Sequence, residues 1–185
     1  MKLVLVVFLA GIALTWGSTT EFFTNLLYRS NYDKNDLPTT GTTHVKIGMY
    51  INDIVLNEEE NSMKVLMYLR QSWNDPRLAH DADPKRLVPS NFIDQIWRPD
   101  TFFRNASVNV DFGCDLSQTR SAFCSIFFET YAHKKPILDY QWLDNPVQFN
   151  AGLNIPKYSL DTPNLYDCSQ NYTAGSFSCL EVNLR

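Results

Sequence analysis

The chain has 185 residues, 44% hydrophobic, 14% aromatic and 19% charged, with a formal net charge of -4 at pH 7. That length favours one domain able to bury roughly two-thirds of its unfolded surface. The aromatic share excludes disorder, the acidic balance excludes a general nucleic-acid binder, and sparse, unrepeated Gly and Pro exclude collagen-like and low-complexity classes.

Met1-Lys2 opens an apolar run from Leu3 to Leu14 that is broken only by Gly11. The run has the length of a signal-peptide core and is too short to span a bilayer. Thr15 and Gly17 are the small residues that precede a cut before Ser18. Residues 1–17 are therefore expected to be an export signal and 18–185 the mature domain. Ser18-Thr19-Thr20-Glu21 reads as a capping box, followed by Phe22, Phe23, Leu26 and Leu27 at helical spacing. Residues 29–43 are polar and read as loop. His44 to Val55 then alternates, with Val45, Ile47, Met49 and Ile51 on one side, and Glu58-Glu59-Glu60-Asn61 is a solvated turn. Met63 to Trp73 alternates again, with Val65, Met67 and Leu69 opposite Leu66, Tyr68 and Arg70. Further strands are predicted over 94–97, 101–104, 123–131, 137–142, 147–149, 165–170 and 176–184. No comparable helical period follows residue 30. The fold class expected is all-β, an immunoglobulin-like Greek-key sandwich with a short N-terminal α-helix.

The sequence has no G-x-S-x-G, phosphate-cradling glycine loop, H-E-x-x-H or zinc-deaminase signature. Asp94, Asp100, Glu129 and Asp139 could supply an acid/base pair, but their spacing brings no two together. We expect no enzyme, cofactor or metal. The cysteines Cys114, Cys124, Cys168 and Cys179 allow three pairings. Export favours disulfides, and the short-range pairs Cys114–Cys124 and Cys168–Cys179 are the simplest connectivity. No C-x-x-C occurs, and His44, His80 and His133 are scattered, so a zinc site has no support. The sequons at Asn105 and Asn171 are candidate glycosylation sites in an exported chain.

The constellation with binding chemistry is aromatic and cationic. Tyr68 and Arg70 lie two apart on a predicted strand and share a face. A guanidinium there suits a ligand carboxylate, which it can grip with two parallel hydrogen bonds. Glu129 and Tyr131 share a face in the same way, while Tyr172 and Phe177 sit between Cys168 and Cys179. Such aromatics can cage an ammonium group by cation–π attraction. An amino-acid-like ligand carries both charges. Taken singly, spacing favours an ordinary core or rim role for each of these residues over a binding one.

Leu69-Arg70-Gln71-Ser72-Trp73-Asn74-Asp75-Pro76-Arg77-Leu78 and Ile96-Trp97-Arg98-Pro99-Asp100-Thr101-Phe102-Phe103-Arg104-Asn105 resemble signatures of Cys-loop receptors, the pentameric neurotransmitter-gated channels. Tyr140-Gln141-Trp142 with Pro146-Val147-Gln148 resembles the strand after the Cys loop. The tail from Cys168 to Cys179 is similar to the second disulfide loop of glycine- and glutamate-gated chloride channels. The resemblance covers most of residues 20–185. It implies a sandwich of about ten strands with an N-terminal helix, in a homo- or hetero-pentamer that binds a small amino-acid-like transmitter (glycine, glutamate or similar) between subunits. It further implies that Glu129, Tyr131, Tyr172 and Phe177 belong to the principal binding face, with Phe103 near another of its loops. Tyr68 and Arg70 then belong to the complementary face. Trp73, Trp97 and Trp142 are expected in the core, and Asp75-Pro76 in a turn.

The departures are specific. The stretch between residues 104 and 124 is shorter than the family's by two strands, and the Cys114–Cys124 loop lacks the usual Pro and aromatic pattern. Ala174 stands where the glycine/glutamate branch commonly has a hydroxyl residue. The chain ends at Arg185, about where the first pore-forming helix is expected. The expectation is the transmitter-binding domain of a channel subunit, anion-selective by family branch, outside the plasma membrane. The alternatives are a secreted transmitter-binding protein and a truncated subunit without channel activity.

Overall fold

The computed structural model describes residues 18–80, 86–106, 111–118 and 121–185. The expected export signal at 1–17, Ser107 of the first sequon and part of the 104–124 stretch lie outside them. Helix α1 (Thr19–Arg29) starts where the capping pattern puts it, with the Ser18 Oγ accepting from the Glu21 N–H at 3.2 Å. Phe23 is its buried residue and meets Phe92, ring centroids 5.4 Å apart.

Strands β1 (Thr43–Asn57) and β2 (Ser62–Trp73) form a long antiparallel hairpin. Its turn is set locally: the Asn57 Oδ1 accepts from the Glu59 and Glu60 N–H groups, and Asn61 has φ 48°. Glu58 is not merely solvated, because the Lys157 Nζ donates to it at 3.3 Å. A bulge at Asn52 shifts the register between Ile51 and Asp53, so Ile54 and Ile51 both point inward. Val45, Ile47, Met49 and Ile51 are wholly buried. After β2, Asp75 caps a 3₁₀ turn over Pro76–Leu78.

The remaining elements are α2 (Ser90–Ile93), β3 (Thr101–Phe103), β4 (Asp111–Gln118), β5 (Ser121–Thr130), β6 (Leu138–Phe149), β7 (Asn164–Asp167), β8 (Gln170–Tyr172), β9 (Gly175–Phe177) and β10 (Cys179–Leu184). The main strands follow the order β6-β1-β2-β4-β5-β10-β7, with β3 added on β5 and a separate β8–β9 ribbon. This curled arrangement is the expected all-β sandwich, with β4 as the strand shared by its two layers. β4 pairs with β2 through Asp111–Gly113 and with β5 from Cys114 onward. Cys114 and Cys124 are register partners, Cα atoms 4.3 Å apart, and are disulfide-bonded. Cys168–Cys179 is the second bond, at the foot of the ribbon. Ile126, Phe128, Leu180 and Val182 from one layer face the β1 residues across the core.

Several strand expectations change: the run at 165–170 breaks after Asp167 into β7 and the start of β8, and that at 176–184 breaks at Ser178 between β9 and β10. Residues 94–97 are not a strand: Pro89 and Asp94 bracket one helical turn, and Trp97 is buried beyond it. The pieces at 137–142 and 147–149 are a single strand, β6, parallel to β1, with Leu143 to Pro146 looping out between Trp142 and Val147. Gly48 lies under that excursion, where a Cβ would stand 2.7 Å from the Leu143 Cδ1 and 3.0 Å from the Pro146 oxygen. Within residues 104–124, β4 is a strand that the alternation does not reveal. No helix among the described residues is long and apolar enough to cross a membrane.

Candidate functional site

Glu129 is the penultimate residue of β5, flanked by Phe102 on β3 and Cys179 on β10. Alternation sends Phe103 inward, against Phe112 and Phe128 at centroid distances of 5.5 and 5.2 Å. Its neighbour Phe102 turns outward and meets Tyr131 edge-on at 5.7 Å. Phe103 is thus a core residue, and the ring at the site is Phe102. Both candidates from the segment after the Cys loop are present, although β5 ends at Thr130. Glu129 is 3% exposed and Tyr131 75%.

The β8–β9 ribbon covers this spot. Cys179, beside Glu129, is bonded to Cys168, which fixes the ribbon's foot. Its tip turns at Gly175, whose φ of 130° disfavours any side chain. The Tyr172 hydroxyl reaches back and donates to the Glu129 Oε1 at 3.1 Å, and Phe177 stands against Tyr172 at 5.8 Å. Beneath them is a cleft of ≈ 270 Å³ lined by Phe102, Arg104, Glu129, Thr130, Tyr131, Tyr172, Ala174 and Phe177. The Arg104 guanidinium lies over the Phe127 ring at 4.3 Å and approaches the Glu129 Oε2 at only 3.5 Å. The carboxylate therefore keeps accepting capacity, since two oxygens offer about four lone-pair sites. An open cleft with four rings and a buried carboxylate suits a small cation.

Asp100 holds the cleft's edge. Its Oδ2 accepts from the Ala132 N–H at 2.7 Å and contacts the His133 Nδ1 at 2.9 Å, which anchors the turn that follows Tyr131. Asp94 pairs with Arg98, and Asp139 accepts from Ser178, so the four carboxylates have separate partners and no acid/base pair forms from them.

Tyr68 and Arg70 form a second cluster on the outer face of β1, β2 and β6. Tyr50 is the register partner of both Tyr68 and Gln148. Arg70 crosses this row: its guanidinium stands 5.4 Å from the Tyr50 ring centre, and its Nη1 donates to the Gln148 Oε1 at 2.9 Å. Among the described residues Arg70 has no carboxylate partner. It presents an ordered cation without a carboxylate partner beside the exposed Tyr68 ring and the half-buried Tyr50 ring. This cluster and the Glu129 cleft share no lining residue.

Four contributors were missed by sequence reading. Phe102 and Arg104 follow from the β3–β5 register, and Tyr50 and Gln148 from the β1–β2 and β1–β6 registers. A repeating aromatic opposite Tyr68 was the available signal, hidden by the bulge at Asn52.

The other family-like segments are structural. Arg77 grips Asp75 with its Nε and Nη2, each at 2.8 Å, and the Tyr32 hydroxyl donates to the Asp75 Oδ2 at 2.7 Å. Trp97 donates its backbone N–H to the same hydroxyl. Burial pushes the Tyr32 phenol up to about 12. Burial would also raise Asp75, but hydrogen bonds from Arg77 and Tyr32 outweigh it and hold the carboxyl below its ordinary value. Trp73 meets Trp97 edge-on at 5.8 Å, and Trp142 meets Phe128 at 6.1 Å, both as packing contacts. Comparison with known protein families finds that the neurotransmitter-gated ion-channel ligand binding domain matches residues 19–122.

Proposed function

The chain belongs to the neurotransmitter-gated ion-channel ligand binding domain family, and from that premise we propose that it binds a small amino-acid-like transmitter, glycine or glutamate in kind. The domain is extracellular in this family, and its members assemble as pentamers. The observation that carries the reading is the Glu129 carboxylate at the floor of a cleft walled by Phe102, Tyr131, Tyr172 and Phe177. A ligand ammonium would gain roughly 0.5–2 kcal/mol from each favourable ring face. Its carboxylate would meet Arg70 of a neighbouring subunit, because Arg70 is ordered by Tyr50 and Gln148 without a carboxylate of its own. The likeness of the Cys168–Cys179 segment to glycine- and glutamate-gated chloride channels supports an anion-selective parent channel.

The test is calorimetric titration of the assembled protein with glycine, with glutamate and with ethanolamine, which keeps the ammonium but lacks the carboxylate. Saturable amino-acid binding tighter than ethanolamine binding is expected. Glu129→Gln should weaken all ligands by about 10- to 100-fold, the effect of losing a hydrogen bond to a charged group. Arg70→Ala should weaken only the carboxylate-bearing ones. Equal affinities across ligands and variants would refute the assignment.

A further inference from the structure

The two sequons occupy opposite situations in the fold, and we infer that Asn171 carries an N-linked oligosaccharide while Asn105 stays unmodified in the folded protein. This inference rests on the extracellular reading and not on ligand binding.

Asn105 follows β3 and uses its side-chain amide to hold β5. Its Nδ2 donates to the Ser125 carbonyl at 2.6 Å, and its Oδ1 accepts from the Phe127 N–H at 3.2 Å. The nitrogen that would take the sugar is thus turned toward the backbone of a core strand. A glycan there must leave through that contact, or Asn105 must release both bonds. Its side chain serves as a bracket between two strands, a role that explains an asparagine without any modification.

Asn171 is exposed in the middle of β8, and its side chain makes no hydrogen bond among the described residues. Successive side chains of a strand point to opposite faces. Its neighbour Tyr172 points into the cleft, with its hydroxyl on Glu129. Asn171 therefore points away from the cleft, on the outer face of the ribbon opposite Ser176. A glycan on this face leaves the Glu129 side of the ribbon open.

In the transfer, the Asn171 Nδ2 loses one proton and bonds to the anomeric carbon of the reducing-end N-acetylglucosamine. The donor is a lipid-diphosphate-linked oligosaccharide, supplied with its transferase by the secretory pathway. The bond from that carbon to the diphosphate oxygen breaks, and the lipid diphosphate departs with the electron pair.

The experiment expresses the full chain in insect cells and maps the folded protein by glycopeptide mass spectrometry. Treatment with peptide N-glycosidase, first native and then denatured, marks each formerly glycosylated asparagine by deamidation. We expect the mark at Asn171 alone, already produced under native conditions, and lost in both Asn171→Gln and Thr173→Ala. Ser107→Ala, which deletes the first sequon but keeps the Asn105 side chain, should leave the protein's mass unchanged apart from the substitution. A bare Asn171, a glycan on Asn105, or release only after denaturation would each overturn the inference. Transmitter binding is a separate readout, so its failure would leave this result standing.

Discussion

The most informative perturbation is Asp75→Asn, which keeps the shape of the side chain and removes its charge. The Asp75 side chain is only 4% exposed and receives four donors: the Arg77 Nε and Nη2 at 2.8 Å, the Tyr32 hydroxyl at 2.7 Å and the Arg77 backbone N–H at 3.2 Å. An amide offers one acceptor oxygen and turns an N–H group toward donors on the other side. At least one charge-assisted bond from Arg77 is lost, while the guanidinium keeps its bonds to the Asp33 and Asp36 carbonyls and the Tyr32 hydroxyl, each at 3.0 Å. Breaking a buried pair by removing one partner costs about 3–5 kcal/mol. The Arg77 side chain is 20% exposed, so solvent compensates part of that and about 3 kcal/mol is expected. For a domain of this size that is a fall in Tm of roughly 6–12 °C. Thermal unfolding followed by tryptophan fluorescence reads it directly, because Trp73 and Trp97 lie beside the cluster. The pH dependence supplies an internal control. The Asp75 carboxyl is depressed in the folded state, so its contribution is present above the ordinary value of 3.8 and is lost as pH falls through the lower folded value. The gap between the two proteins should therefore narrow in acid. A loss below about 1 kcal/mol at pH 7, or a gap that stays constant into acid, would refute the reasoning.

Two further outcomes are expected. Gly48→Ala puts a methyl group 2.7 Å from the Leu143 Cδ1 and 3.0 Å from the Pro146 oxygen, and should cost about 1–3 kcal/mol in urea unfolding as overpacking does; unchanged stability would mean that the β6 excursion yields freely. The Tyr32 phenol is raised to about 12 from 10.0, so its contribution is full below 10.0 and is lost as pH rises through the folded value. Tyr32→Phe should accordingly lessen the fall in stability across that alkaline window, and parallel pH profiles for the two proteins would contradict it.

Local chemistry explains what was legible in the sequence. The helix at Thr19 follows from Ser18 and Glu21, three residues apart, and the β1–β2 turn from Asn57 and its next neighbours. The buried row Val45, Ile47, Met49 and Ile51 is written in alternation. What alternation does not carry is the bulge at Asn52, which changes which β1 side chain stands opposite Tyr68. Nor does it choose between Phe102 and Phe103, two adjacent identical residues whose orientation is decided by the register with β5. The sequence marks Asp75-Pro76 as a turn, yet the partner that makes Asp75 matter is Tyr32, 43 residues away. Asn105 shows the same limit, since a sequon is a local pattern and its hydrogen bonds to β5 are tertiary.

The ribbon over the cleft gives the proposed binding a mechanical side. β8 and β9 pair only with each other, and β8 is exposed along its length. Its anchors are the Cys168–Cys179 bond at the foot, the Lys135 N–H donating to the Ser176 carbonyl, and the Tyr172 hydroxyl on Glu129. An element with few buried contacts and exposed backbone belongs to the low-stability end of a fold. Glu129 is therefore where the ribbon and the proposed ligand would meet. A bound ammonium adds a donor to a carboxylate that already holds Tyr172, and the cation also lies against the rings of Tyr172 and Phe177. Ligand and closed ribbon then stabilise one another, and by linkage whatever opens the ribbon weakens the ligand by the same factor. Tyr172→Phe removes the ribbon's hydrogen bond but keeps its ring, so it separates this coupling from the cation–π contact.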